Sequence, residues 1–338
     1  MVDLSIGAPV DPVPGPVQAA LAAAANSPGY PLTRGTPPVR EAAANWLSRR
    51  HGVSISPDAV LPVIGTKEFI AWLPTMLGLG PGDTVSYPAL AYPTYDAGIR
   101  LAGATGLATD ATLALGPERV KLAWVNSPSN PTGRVLPPEH LAKMVSWARE
   151  RGTLLASDEC YIEQGWEARP RSVLDPEISG GSPDGLLAVH SLSKRSNMAG
   201  YRAGFVTGDP ALIAELHEIS RHAGLIVPGP IQAALIAALD DDQAADEQRE
   251  RYLARRAVLR PAVERAGWVV EHSEAGLYLW ATRPEADGWE SARLLSEIGI
   301  LASPGELYGA AGVRYIRMAL TATDERIATA AARLAALA

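Results

Sequence analysis

Through the first two thirds of the chain, short apolar runs alternate with stretches whose apolar residues recur every three or four positions, the signature of strands alternating with helices. Residues 59–64 predict a strand, 66–77 a helix, 84–87 a strand and 95–101 a helix. The pattern repeats with an apolar strand over 121–126, a helix over 138–151 entered through Pro137-Pro138, and a strand over 153–157, followed by strand-like runs at 186–190 and 203–207. Elements of this kind joined by short loops specify an α/β unit on a mostly parallel sheet flanked by helices.

From Asp209 onward the pattern turns helical. Residues 243–266 carry a long charged face, with Asp246, Glu247, Arg249, Glu250, Arg251, Arg255 and Arg256, which reads as a solvated helix between two units. Beyond it, strand-like runs at 268–272, 277–281 and 315–320, a helix near 289–297 and a last amphipathic helix from Asp324 predict a smaller α+β unit. The expected division is a large domain over 29–249 and a small domain made of 1–28 and 250–338. The Pro-rich start (Pro9, Pro12, Pro14, Pro16) and the Ala-rich stretch 17–25 are too short for a domain and are expected to pack on the C-terminal unit.

Composition narrows the function more than the fold. With 338 residues, 47% hydrophobic and 20% charged, the chain is long enough for about two domains and outside the range of disordered sequences. Thirty Lys+Arg against 37 Asp+Glu give a formal charge of -7 without a basic cluster, which argues against nucleic-acid and anionic-membrane partners and for a small one. The lone Cys160 closes no intrachain disulfide and excludes a Cys-pair zinc site. None of the six histidines has a metal-like neighbour, so no metal is expected. The start, residues 1–9, lacks a basic segment followed by an apolar core, and a cytoplasmic location is the expectation.

The most informative segment is Ser191-Leu192-Ser193-Lys194, which follows a predicted strand and precedes Gly200-Tyr201-Arg202-Ala203-Gly204. A lysine acts as a nucleophile only when its amine is partly neutral, and burial beside a cation such as Arg202 lowers its pKa. A single loop lysine is ordinarily solvent-facing. Here, however, Asn130-Pro131-Thr132-Gly133 follows the strand ending at Asn126, and Asp158-Glu159-Cys160-Tyr161 follows the strand ending at Ser157. Because ligands in parallel sheets bind at the carboxyl ends of the strands, the three segments converge on one crevice.

Together these motifs resemble the fold-type I, pyridoxal-phosphate-dependent aminotransferases of class I/II, and the resemblance runs from Ser5-Ile6-Gly7-Ala8-Pro9 to Tyr315-Ile316-Arg317-Met318-Ala319-Leu320. It implies pyridoxal 5′-phosphate as cofactor, with Lys194 as its covalent anchor and the acid/base at the substrate α-carbon. By the same resemblance Asp158 partners the pyridine nitrogen, and Tyr161 with Asn130 bonds the phenolic oxygen. Gly65-Thr66-Lys67 at a helix start, with Ser191 and Arg202, cups the phosphate. Tyr92 stacks on the ring, and Arg317 forks onto the substrate α-carboxylate beside Gly7. Tyr30 matches a tyrosine that reaches the neighbouring subunit's phosphate, which implies a homodimer. The chain begins almost at the Gly7 motif, so a short or missing N-terminal arm is expected.

The wording of the motifs, Ser-Leu-Ser-Lys-Arg-Ser-Asn-Met-Ala-Gly-Tyr-Arg-Ala-Gly above all, is most similar to succinyldiaminopimelate transaminases of Ala-rich, high-GC bacteria. The reaction this implies is exchange of an amino group between N-succinyl-LL-2,6-diaminopimelate and 2-oxoglutarate. Arg34, supplied across the dimer, or else Arg195 and Tyr308, are the expected contacts of the distal carboxylate. An aspartate or broad-range aminotransferase is the alternative within the family. A pyridoxal-phosphate-sensing regulator is the alternative of another class, and it calls for a basic DNA-binding domain that this sequence does not display.

Overall fold

The computed structural model describes residues 1–115 and 120–337. In chain order the elements are β1 (Val2–Asp3), α1 (Gly15–Ala23), α2 (Pro37–Trp46), β2 (Val60–Val63), α3 (Thr66–Met76), β3 (Thr84–Tyr87), α4 (Thr94–Ala102), β4 (Thr105–Ala108) and β5 (Val120–Asn126). There follow α5 (Pro138–Arg151), β6 (Leu154–Asp158), α6 (Pro176–Ser179), β7 (Leu186–Ser191), α7 (Leu192–Arg195), β8 (Gly204–Gly208), α8 (Pro210–Ala223) and α9 (Gly229–Asp240). The last third holds α10 (Asp242–Arg265), β9 (Val269–Glu271), β10 (Tyr278–Thr282), α11 (Gly288–Glu297), β11 (Ile300–Leu301), β12 (Ser303–Pro304), β13 (Tyr315–Ala319) and α12 (Asp324–Leu334).

Seven strands form the large sheet in the order β2-β8-β7-β6-β5-β3-β4. The neighbours from β4 to β7 are parallel, and β8 runs antiparallel to both β7 and β2. The alternation of side chains along a strand explains why these runs are apolar on both sides. In β5, Ala123 and Val125 join the cluster under α2, α5 and α9, whereas Leu122 and Trp124 join the one under α3, α4 and α8. Leu186 and Ala188 of β7 likewise face the first cluster, and Leu187 and Val189 the second. Helix boundaries follow local chemistry. Helix α5 starts with Pro138 after Pro137 and stops at Gly152, whose φ of 63° suits the left-handed cap.

The second unit is a four-stranded antiparallel sheet, β12-β13-β10-β9, with the parallel pair β1-β11 beside it. Its own cluster gathers Val2, Leu4, Leu259, Trp268, Leu279, Ile316 and Ile327. Two expectations are corrected here. The Ala-rich helix α1 does not lie on this unit: it packs against α9, and Val17 joins the core of the large sheet. The charged face of α10 is not all solvated. Arg255 is buried, paired with Asp11 at 2.6 Å and Asp324 at 2.6 Å, and Arg256 is buried against Glu167 and the Ser273 carbonyl. The helix spans the junction of the two units, so side chains that local periodicity assigns to water meet partners from remote parts of the chain. No helix among the described residues is long and apolar enough to cross a membrane.

Candidate active site

The carboxyl ends of β5, β6 and β7 open into a cleft of about 800 Å³ that the smaller unit closes from the other side. Asp158 is the last residue of β6, and Lys194 lies three residues past the end of β7, in the single turn α7. The Asn130 loop is tied to the strand ends by Asn126, whose side-chain amide donates to the Asp158 carbonyl at 2.9 Å and whose oxygen accepts from the Asn130 N–H at 2.7 Å. The ends of β5 and β6 are thereby tied together beside one space.

Lys194 points into it and donates to the Gly7 carbonyl. Burial pulls its ammonium below the usual lysine range, and the nearby Arg317 and Arg202 guanidiniums pull the same way against Tyr278 and Cys160. Asp158 is buried with no lysine or arginine paired to it among the described residues. Its carboxylate accepts from the Tyr95 hydroxyl at 2.7 Å and from the Cys160 N–H at 3.2 Å. Desolvation nonetheless carries its pKa upward, since those hydrogen bonds only partly offset the burial. A buried carboxylate on a cleft wall, held by neutral donors alone, suits a cationic group on a ligand.

One end of the cleft is built for an anion. Helix α3 begins at Gly65, whose φ is 75°, with no side chain capping its free N–H groups. The positive φ at Gly65 favours glycine, and a Cβ there would push the Arg202 guanidinium aside. Thr66, Lys67, Ser191 and Arg202 line this end, and Tyr92 stands beside it with the Lys67 ammonium 6.0 Å from its ring centre. At the other end Arg317, buried on β13, donates to Asn130 Oδ1 at 2.8 Å and to the Ser5 carbonyl at 2.7 Å. Its Nε has no partner among the described residues, so part of the guanidinium fork stays open in a buried place. The Tyr161 and Tyr278 hydroxyls share a hydrogen bond of 3.0 Å, and burial, more than Tyr278, pushes the Tyr161 phenol well above its usual range.

The structure thus gathers Gly7, Asn130, Asp158, Tyr161, Lys194 and Arg317 with the anion-binding residues around one cleft. It does not bring Tyr30 or Arg34 there. Tyr30 is fully exposed, and Arg34 donates to the Asp58 carbonyl at 3.0 Å outside the cleft. Arg195 is corrected: α7 turns it away from its neighbour Lys194 into a buried set of acceptors, with Glu163, the Ala238 carbonyl and Asp242. Tyr308 does line the cleft. Sequence reasoning missed Tyr95 and Tyr278. Each is an aromatic in an apolar pattern, and only the fold places its hydroxyl against Asp158 or Tyr161.

An anion cup, an unpaired buried carboxylate, a lysine displaced toward neutrality and an open arginine fork together fit a phosphorylated ligand with a cationic ring, followed by a carboxylate-bearing substrate. Comparison with known proteins agrees. The chain is 60% identical over 334 residues to 4-dedimethylamino-4-oxo-anhydrotetracycline transaminase OxyQ of Streptomyces rimosus, covering 99% of this chain and 93% of that one. It is 58% identical over 335 residues to the probable aminotransferase Rv1178 of Mycobacterium tuberculosis, covering 99% and 80%. Among solved structures, a probable N-succinyldiaminopimelate aminotransferase of Thermus thermophilus superposes with a TM-score of 0.91 at 29% identity, covering 100% of this chain and 95% of that one. The family model for aminotransferase class I and II matches residues 1–334, so the chain belongs to that family of fold-type I enzymes, whose cofactor is pyridoxal 5′-phosphate.

Proposed function

We propose that the protein transfers an amino group between N-succinyl-LL-2,6-diaminopimelate and 2-oxoglutarate, with Lys194 as the residue that anchors the cofactor and moves the proton at the substrate α-carbon. The observation that carries the reading is that the Lys194 amine, the Asp158 carboxylate, with which no lysine or arginine among the described residues pairs, and the open Arg317 fork line one cleft. Pyridoxal 5′-phosphate, when bound, supplies a ring that accepts the electron pair left at that carbon. Asp158 would hold the ring nitrogen protonated, since no lysine or arginine among the described residues occupies its carboxylate. Tyr161 and Asn130 would hold the phenolic oxygen, and Tyr92 would cover the ring face. Gly65, Thr66, Lys67, Ser191 and Arg202 would neutralise the phosphate through backbone N–H groups, hydroxyls and cations.

Arg317 would bind the α-carboxylate with its unused donors, beside Gly7. An α-carboxylate gripped this way stays on the substrate, so the bond to the α-hydrogen is the one cleaved, and Lys194, once its amine is free, is the base within reach. Tyr30, exposed on its own chain, would complete the phosphate site of a second copy, and Arg34 would meet the distal carboxylate there; both roles require a homodimer. The roomy cleft and the likeness to the Thermus thermophilus protein support a long dicarboxylic substrate. The 60% identity to OxyQ favours a second reading, in which a bulkier ketone is the acceptor.

The test is a substrate panel. The visible spectrum of the cofactor-loaded protein is followed as single amino acids are added. N-succinyl-LL-2,6-diaminopimelate and glutamate should each convert the bound cofactor to its amine form. Conversion by aspartate or aromatic amino acids with no response to that pair would replace the proposal by the broad-range reading.

A further inference from the structure

One aromatic side chain touches nearly every part of this site. Tyr278, at the start of β10, is 4% exposed, and the Arg317 guanidinium carbon lies over its ring, 3.9 Å from the ring centre. Tyr308 lies 4.7 Å from the same carbon, so two phenol rings attend one cation. A planar guanidinium against aromatic rings loses rotational freedom, and the attraction of the cation to each ring strengthens when water is excluded. At its other end Tyr278 meets the Tyr161 hydroxyl at 3.0 Å. Its ring also crowds Gly7, where a Cβ would overlap the Tyr278 hydroxyl, and Gly7 is the residue whose carbonyl holds Lys194.

We propose that Tyr278 is a positioning residue of this enzyme, whose ring, with that of Tyr308, fixes the plane of the Arg317 fork and whose hydroxyl orients the Tyr161 hydroxyl. The inference rests on the function proposed above. Arg317 needs this help because neither of its present hydrogen-bond partners is charged: Asn130 and the Ser5 carbonyl hold one terminal nitrogen each, and no carboxylate among the described residues pairs with it. Tyr308 is itself anchored, since its carbonyl accepts from the Ala91 N–H at 2.8 Å, next to Tyr92. The upper ring of the clamp therefore belongs to the smaller unit but is tied to the larger one. When Tyr161 turns its proton toward an anionic oxygen in the cleft, the Tyr278 hydroxyl is placed to donate to the Tyr161 oxygen, which makes Tyr161 the stronger donor.

Two variants separate ring from hydroxyl, and glutarate, which has carboxylates but no amine, serves as the probe. In the cofactor-loaded protein, Tyr278→Leu should weaken glutarate binding about tenfold, by the loss of one desolvated cation–π contact. Tyr278→Phe should change it less than about twofold, because the ring remains. Tyr278→Phe should instead raise the pH of the transition in the visible cofactor band by about half a unit, because Tyr161 becomes a weaker donor. Glutarate affinity unchanged in Tyr278→Leu, or a band transition unmoved or lowered in Tyr278→Phe, overturns the inference. Wild-type protein measured alongside keeps the two claims apart. If it binds no cofactor, the proposed function fails; if it does and the variants match it, only the role of Tyr278 fails.

Discussion

Arg195 and Arg317 are both buried arginines close to Lys194, and they are built in opposite ways. Arg195 meets Glu163, Asp242 and the Ala238 carbonyl, so its charge is neutralised within the fold. Arg317 meets an asparagine oxygen and a backbone carbonyl, lies near two tyrosine rings, and has an Nε without a partner among the described residues. A buried cation without a carboxylate costs stability unless something arrives to pair with it. A charge with a structural use is answered by the chain; under the proposed function, Arg317 is left for the ligand. Arg255, closed by Asp11 and Asp324, belongs with Arg195. Asp158, held only by neutral donors, is the acidic counterpart of Arg317.

Substitution of the two arginines tests the contrast most strongly. Arg317→Leu should lower kcat/KM for the amino acid by about a thousandfold, the scale of losing a charge-assisted bidentate contact, while thermal stability changes by less than about 1 kcal/mol. Arg195→Leu should do the reverse: stability falls by about 1–3 kcal/mol, because the Ala238 carbonyl loses its donor and Glu163 keeps only Arg50, and kcat/KM per folded molecule stays near wild type. A large stability loss in the first or an unchanged stability in the second would break the contrast.

A smaller effect concerns buried acid and base groups that no ligand answers. Glu159, fully buried behind Asp158, has its pKa raised from 4.5 to about 7, chiefly by desolvation, with His190 Nε2 3.5 Å away. Since the folded value is the higher one, its favourable contribution is complete below pH 4.5 and is lost as pH rises through about 7. His51 is opposite: burial lowers its pKa from 6.5 to about 4, so its contribution holds above 6.5 and is lost as pH falls through 4. Glu159→Gln should therefore gain stability relative to wild type on going from pH 5 to pH 8, by about 2 kcal/mol in urea titrations. An offset that stays constant with pH would show that Glu159 titrates normally. The smallest effect is expected at Arg34, half-exposed and paired only with Asp58 on its own chain. Arg34→Ala should raise KM for the long dicarboxylic substrate by about fivefold and leave a short amino acid unaffected, as a partly screened ion pair would. Equal changes for both substrates would remove it from distal-carboxylate recognition.

Much of the fold was readable because strands of a two-sided sheet are apolar throughout and their helices carry clear caps. Residues 84–87 and 138–151 were bounded as the structure has them. Strand β4, Thr105–Ala108, is largely exposed at the sheet edge and gives no apolar run, so nothing announced it. In the site, the convergence of Asn130, Asp158 and Lys194 was legible because each sits in a short motif at or just past the end of a strand. Arg195 misled because adjacency in sequence is not adjacency in space: one residue along a helical turn rotates a side chain by about 100°. Tyr95 and Tyr278 had no local signal, since a phenol inside an apolar pattern looks like core until the fold shows what its hydroxyl reaches. The partners of Arg255 lie far away in the chain, which no periodicity on α10 encodes.

The central claim is that the amine of Lys194 is the covalent anchor of the cofactor. Reducing the cofactor-loaded protein with borohydride and mapping its peptides reads this out without any substrate. The account predicts a single pyridoxyl label, on Lys194, and none in Lys194→Ala. A label on Lys67 or another lysine, or no label at all, would contradict it.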